Sequence, residues 1–238
     1  MQLFYHPGIS ESSKEVIFDK DESRHIVKVL RKQEGDLLLL TNGKGTFFHA
    51  ELVNAHGKQC VAAIIRTETQ APFSYHLHLA VAPTKLNDRY EWFLEKATEI
   101  GVSEITPLYC EHSERKTIKI ERYEKIIHSA MKQSLKAYLP KLNAPVSFNE
   151  FMNTPLASET IKCIAHCEDL AKKSLKSVIK PQGTVIILIG PEGDFSSTEI
   201  NLAVANDFIP VSLGASRLRT ETAAIAACHS VAFINEVM

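Results

Sequence analysis

From Tyr75 onward the sequence alternates short apolar runs with segments of helical periodicity, and few architectures accept that alternation. "YHLHLAVAPT", "EITPLYC", "IKCIAHCE", "TVIILIG" and "IPVSLG" read as strands. The last three are continuously or almost continuously apolar, as parallel strands covered on both faces must be. "NDRYEWFLEKATEIG" reads as an amphipathic helix with Trp92, Leu94, Ala97 and Ile100 available for burial and Gly101 closing it. "KIERYEKIIHSAMKQSL" reads as a second, basic helix. Strand and helix in alternation predict an α/β sheet with helices on both faces.

The first seventy residues follow a different pattern. "GDLLLLTNGKGTFFHAELVNAHGKQCVAAIIRTETQ" divides into three short strand-like runs at the Asn42-Gly43 and His56-Gly57 turn signals. Such spacing predicts a small barrel or compact sheet. Ahead of it, Ile26, Val27, Val29 and Leu30 are spaced for a helix that ends at Gly35, and "TETQAPFS" reads as a linker. The expected organisation is a β domain over residues 1–70 and an α/β domain over 71–238, without internal repeat or low-complexity segment.

Composition excludes several classes. With 45% hydrophobic and 23% charged residues the chain matches an ordinary globular protein. No run approaches the roughly 18 apolar residues of a membrane span. "MQLFYHPGIS" lacks the pattern of a secretion signal, so a cytoplasmic location is expected. Five cysteines do not form a disulfide framework, and Cys163, His166 and Cys167 lack a fourth ligand at metal-site spacing, so no metal is expected. Net charge is only −1, yet residues 115–141 hold eight Lys/Arg against Glu121 and Glu124, a local excess able to attract a polyanion. A solvated helix face has the same composition.

Two strand-ending turns carry the candidate chemistry: "ILIGPEGDFSSTEI" and "VSLGASRLRTETAAIAA". In an open α/β sheet, ligands sit where such loops leave the carboxyl ends of strands. Gly190 and Gly193 allow close approach of the backbone, Pro191 stiffens the turn, and Ser196 with Glu199 fits a capping box. Neither a GxxxxGK[ST] nor a GxGxxG pattern is present. Glu192 and Asp194 would repel phosphate, so an acidic turn suits a ligand with a positive centre and amine or hydroxyl donors, such as S-adenosylmethionine.

Together these turns resemble the paired C-terminal motifs of the bacterial 16S rRNA uridine-N3 methyltransferases, the RsmE family of the SPOUT superfamily. The resemblance extends to "HIVKVLRKQEGD" and "KLNDRYEWFLEKATEIGVSEITPL" and so spans nearly the whole chain. Asp194 stands where the family often has a second glycine, and Ser216 where it commonly has arginine, with Arg217 next to it. "KQSLKAYLP" lacks the usual Gly-Arg, though Lys136 keeps a positive charge.

The resemblance implies a trefoil-knotted parallel sheet, a PUA-like N-terminal domain that binds rRNA, and a homodimer built partly through "AAIAACHSVAFINEVM". It also implies S-adenosylmethionine as cofactor and 16S rRNA of the small ribosomal subunit as partner. On it, cofactor contacts are assigned to Ile189, Gly190, Pro191, Glu192, Gly193, Leu213, Gly214, Ser216, Leu218, Arg219 and Thr220, with His166 and Glu168 completing the rim. Arg219 and Glu221 are the catalytic candidates: one to stabilise negative charge on the base carbonyls, the other to act as base or orient the base edge. Arg24, Lys28, Arg31, Lys32, Lys85, Arg89, Lys132 and Lys136 are the RNA-contact candidates. Each charged candidate also has a purely structural use: Arg219 as an ion-pair partner, Glu221 as a favourable charge at a helix start. Two other functions compete: a non-catalytic RNA-binding assembly factor, and a SPOUT enzyme acting on another RNA. A pure binder has no need of two cofactor turns, which favours the methyltransferase.

Overall fold

The structure, a computed structural model, describes residues 2–236. They group into two compact units, residues 2–72 with 131–139, and residues 73–130 with 140–236.

The first unit contains β1 (Leu3–Tyr5), β2 (Glu15–Ile17), the short α1 (Lys20–Arg24), β3 (Leu37–Thr41), β4 (Thr46–Asn54) and β5 (Val61–Thr69). The strands form one mixed sheet in the order β1-β3-β4-β5-β2, with β1 parallel to β3 and the remaining pairs antiparallel. Phe4, Phe18, Ile26, Leu40, Phe48 and Leu52 fill its core. Phe4, 2% exposed, is a core residue.

Two local expectations for this unit are corrected. The helix does not reach Gly35: Asp19 caps α1, a single π-helical turn follows over His25–Val29, and Arg31 takes a left-handed conformation (φ 55°) that ends the spiral. The supposed linker begins only at Gln70, because Thr69 pairs with Thr46 and Glu68 with Phe47. Residues 131–139 lie along the β3–β4 hairpin: Ala137 O accepts from Gly45 N and Thr41 Oγ1, and Leu139 N donates to Gly43 O. Gly45, at φ 99°, is required there, since a Cβ would fall 2.4 Å from the Tyr138 ring.

The second unit runs β6 (His76–Val81), α2 (Asn87–Ile100), β7 (Glu104–Tyr109), α3 (Ile120–Gln133, its last turn grouping with the first unit), β8 (Lys141–Leu142), β9 (Val146–Ser147), α4 (Phe148–Met152), β10 (Ile161–Ala165), β11 (Lys173–Ser174), α5 (Leu175–Val178), β12 (Thr184–Ile189), α6 (Ser197–Ala205), β13 (Ile209–Ser212) and α7 (Thr220–Ile234). Every strand pair is parallel, in the order β11-β13-β10-β12-β6-β7-β8, with β9 also on β7. The apolar strands have the two-sided cover that their composition requires: Val185 through Ile189 are all buried. On one face, Ala80, Leu108, Ile164, Ile186 and Leu188 pack with Phe148 and Phe151 of α4 and Ile200 and Ala203 of α6. On the other, α7 packs against α2, β6 and β12.

Helix α2 buries Tyr90, Phe93, Leu94, Ala97 and Thr98. Two of the four expected positions, Leu94 and Ala97, are on that stripe, whereas Trp92 is 45% exposed. The stripe follows the helical period from Tyr90, a start that an apolar-only reading overlooks.

Candidate active site

Five loops leave the carboxyl ends of β6, β7, β10, β12 and β13, and side-chain bonds tie them together. Arg115, in the loop after β7, donates from Nε to Thr84 O and from Nη2 to Lys85 O in the loop after β6. Lys85 N donates to Glu192 Oε1 in the first glycine turn at 2.9 Å. Buried Glu199 closes the capping box with Ser196 and also accepts from Glu111 N at 2.9 Å. Ser196 and Glu199 thus start α6 as their spacing predicts.

Asp194 explains its own departure from glycine. Its φ of 64° lies in the left-handed region, which glycine enters freely and aspartate tolerates better than most residues. Its carboxylate accepts from Cys167 N at 2.6 Å and from Phe195 N at 2.8 Å, so it braces the first turn against the loop after β10. Gly190 is needed for packing, because a Cβ there would sit 3.1 Å from the Phe195 ring. Its carbonyl accepts from Thr220 Oγ1 at 3.0 Å, which joins the two glycine turns.

Two adjoining clefts open among these loops. One, of about 510 Å³, is lined by His166, Lys172 and the second turn from Ser212 to Leu218. The other, of about 330 Å³, is lined by Ile189, Gly190, Pro191, Glu192, Arg219 and Thr220. Ala165, Cys167, Asp194, Arg217, Leu218 and Ala223 belong to both walls. Either volume falls in the range of small-molecule sites.

His166 is 7% exposed, and neither ring nitrogen has a hydrogen-bond partner. Burial, aided by Lys172, pushes its pKa below the ordinary histidine value, which keeps the ring neutral, with one donor and one acceptor to offer. Glu221, 8% exposed at the start of α7, has Oε2 unpartnered and Oε1 3.9 Å from Arg89 Nε. Buried polar groups without partners are uncommon in folded proteins, and both lie at this end of the sheet.

Comparison with known proteins fits this geometry. An RNA methyltransferase domain model matches residues 69–232, and an RNA methyltransferase PUA domain model matches residues 18–65. The ribosomal RNA small subunit methyltransferase E of Buchnera aphidicola subsp. Acyrthosiphon pisum is 32% identical over 88% of this chain and 85% of its own length. The chain belongs to the ribosomal RNA small subunit methyltransferase E family.

Solved members of this kind share its whole architecture. A probable rRNA-methyltransferase from Porphyromonas gingivalis is 42% identical, with a TM-score of 0.90 over 99% of this chain and 98% of its own. The family enzyme of Neisseria gonorrhoeae, solved bound to S-adenosyl methionine, is 27% identical, with a TM-score of 0.88 over 99% of this chain and 98% of its own.

Within this family fold the assigned residues divide. Ile189, Gly190, Pro191, Glu192, Leu213, Gly214, Ser216, Leu218, Arg219, Thr220 and His166 line the two clefts. Gly193 and Glu168 line neither. A Cβ on Gly193 would meet His112 Cβ at 3.0 Å, and Glu168 Oε1 accepts from Ser197 Oγ at 2.6 Å. Arg219 is exposed and precedes α7 as its N-terminal flanking residue.

Among the RNA-contact candidates, Lys85 pairs with Glu114 at 2.7 Å and Arg89 with Glu221, so both belong to this site. The other six fall in the first unit or in α3's last turn grouped with it: Arg24, Lys28 and Arg31 exposed, Lys32 3.9 Å from Asp36, Lys132 and Lys136 half-buried. Lys172, Cys167 and Arg217 line the clefts without having been singled out as ligands. Arg217 and Cys167 had a signal, each lying between two assigned residues, whereas Lys172 had none.

Among the described residues no cluster of His, Cys, Asp or Glu is arranged to hold a metal ion, and no helix is long and apolar enough to cross a membrane.

Proposed function

We propose that this chain uses S-adenosylmethionine to methylate N3 of a uridine in 16S rRNA of the small ribosomal subunit. The observation that carries the reading is the pair of adjoining clefts, one walled by the unpartnered imidazole of His166, the other by Arg219, two residues before the buried Glu221. A neutral imidazole with both nitrogens free suits a ligand that offers hydroxyl, amine and carboxylate groups. The acidic Glu192 and Asp194 suit its positive charge. The backbone of Ile189, Gly190, Leu213 and Gly214 would hold the cofactor, with Leu218 packing on its adenine.

S-adenosylmethionine supplies an electrophilic methyl group when bound. The chain must then position a uridine, remove its N3 proton and stabilise the charge that spreads to O2 and O4. Glu221 is the acceptor for the proton, Arg89 holds that carboxylate, and Arg219 faces the developing negative charge. The N3 lone pair forms the new N–C bond as the S–C bond breaks towards sulfur.

Three further features belong to this reading. The C-terminal segment is threaded as a trefoil knot; in support, β13 lies beyond β10 in the sheet whereas α7 returns to α2, β6 and β12. A homodimer is supported by the exposed apolar residues Trp92 and Phe233 (45% and 66%) on the paired helices α2 and α7. Val237 and Met238, the end of the stretch assigned to that interface, lie outside the described residues. Residues 1–70 act as the rRNA-binding domain of a cytoplasmic enzyme, and 71–238 as its catalytic domain.

The test is transfer of labelled methyl groups to small subunits from a strain lacking the modification, followed by nucleoside mass spectrometry. Label in 3-methyluridine of 16S rRNA is expected. Label in another nucleoside, or only in tRNA, would reject the substrate assignment.

A further inference from the structure

We infer that Asp194 is a specificity residue that reads the positive sulfonium of the cofactor and so separates S-adenosylmethionine from its neutral-sulfur product. The inference rests on the cleft assignment proposed above. The cofactor contacts assigned above, Ile189 and Gly190 in one cleft and Leu213 and Gly214 in the other, lie on either side of the wall that both clefts share, so the sulfonium is placed against that wall. Two charged side chains stand on that wall, Asp194 and Arg217. Arg217 is exposed, where water and salt screen its charge. Asp194 is half-buried and fixed by the N–H groups of Cys167 and Phe195, at 2.6 and 2.8 Å.

A carboxylate held this way cannot swing away. Its attraction to a sulfonium is lost once the methyl has left, because the thioether sulfur is uncharged. The ammonium and carboxylate of the amino-acid end are the same in both molecules, so they contribute equally to both affinities. Asp194 therefore favours substrate entry and product release together. The left-handed backbone at this position permits glycine, asparagine or aspartate with little strain, and of these only aspartate supplies the charge.

Calorimetry of the full chain with S-adenosylmethionine and with S-adenosylhomocysteine tests this. Asp194→Asn suits the left-handed backbone and keeps an acceptor oxygen for one of the two N–H groups while removing the charge. It should weaken S-adenosylmethionine binding roughly tenfold and change S-adenosylhomocysteine binding less than about twofold. Asp194→Gly, which also removes the brace, should shift the ratio of the two affinities in the same direction. Equal weakening of both ligands, or an unchanged ratio in both variants, would overturn the inference. A wild-type protein that binds neither ligand would instead overturn the cleft assignment.

Discussion

The two ends of the parallel sheet treat their buried polar groups in opposite ways. In the amino-terminal halves of β6 and β7, Thr106 Oγ1 is 2.7 Å from His78 Nε2 and accepts from Asn143 Nδ2, also at 2.7 Å. Asn143 and Lys141 both donate to Glu104. At the carboxyl ends, both nitrogens of His166 and Oε2 of Glu221 are buried without partners. Each such orphan costs about 1–3 kcal/mol. A satisfied network holds the sheet together, whereas an unsatisfied one is tolerated where a ligand completes it. Substitutions should therefore affect stability at one end and activity at the other.

The largest expected effect is on rate. Glu221→Gln should lower methyl transfer at least about 100-fold, the usual contribution of a positioned general base. Its melting temperature should be unchanged or raised, since a partly unpartnered buried charge has been removed. Single-turnover kinetics beside thermal melting give both numbers. A parallel loss of stability would place Glu221 with the structural groups and remove the contrast.

Thr106→Val is the opposite case. It preserves shape in a buried position but leaves His78 Nε2 and Asn143 Nδ2 without their shared partner. Stability should fall by about 2 kcal/mol in urea titration, with the rate per folded molecule unchanged. A rate loss comparable to that of Glu221→Gln would show that the two ends are coupled.

The same network predicts a pH dependence. Burial pushes the pKa of His78 down to about 4 from an ordinary value of 6.5. Between those values the unfolded chain binds the proton and the folded chain does not, so stability falls as pH drops from 6.5 towards 4. The slope from one such group is at most about 1.4 kcal/mol per pH unit. Glu104, whose pKa is lowered by its bonds to Asn143 and Lys141 despite burial, adds a loss of the same sign as it protonates. Urea titrations at several pH values should show His78→Gln with a flatter profile above pH 5. Identical profiles would mean that His78 does not titrate on unfolding.

These opposite roles were unequally visible in the sequence. Strand identity, two-sided helix cover and the position of the ligand loops follow from apolar runs and glycine turns, because they depend on local chemistry. The capping box of α6 was visible for the same reason. The return of residues 131–139 to the first unit was not, since Ala137 and Tyr138 act through partners about ninety residues earlier. Nor did any pattern show that His166 is left unpartnered, that Arg89 reaches Glu221, or that Lys172 lines a cleft. Each depends on loops that meet only after the sheet has formed. The left-handed backbone of Asp194 was present only as a motif position usually held by glycine.

Gly193 and Gly214 carry the contrast into the two turns themselves, with the smallest effects. On the family resemblance both are assigned cofactor contacts. In the structure Gly193 faces His112, whose Nδ1 is 3.1 Å from Gly193 O and 3.2 Å from Asp194 O. Gly193→Ala should therefore overpack a braced turn, costing about 1 kcal/mol of stability with little change in cofactor affinity. Gly214 has open space around it, but its φ of 132° is unfavourable for any side chain. Its turn is exposed and held by few bonds, so the backbone of Gly214→Ala can relax into another conformation. The cost, again about 1 kcal/mol, should appear as weaker cofactor binding rather than a lower melting point. Melting curves and calorimetry on both variants separate the two cases. If Gly193→Ala weakens cofactor binding while remaining fully stable, the first turn meets the ligand at Gly193 after all, and the two turns are alike.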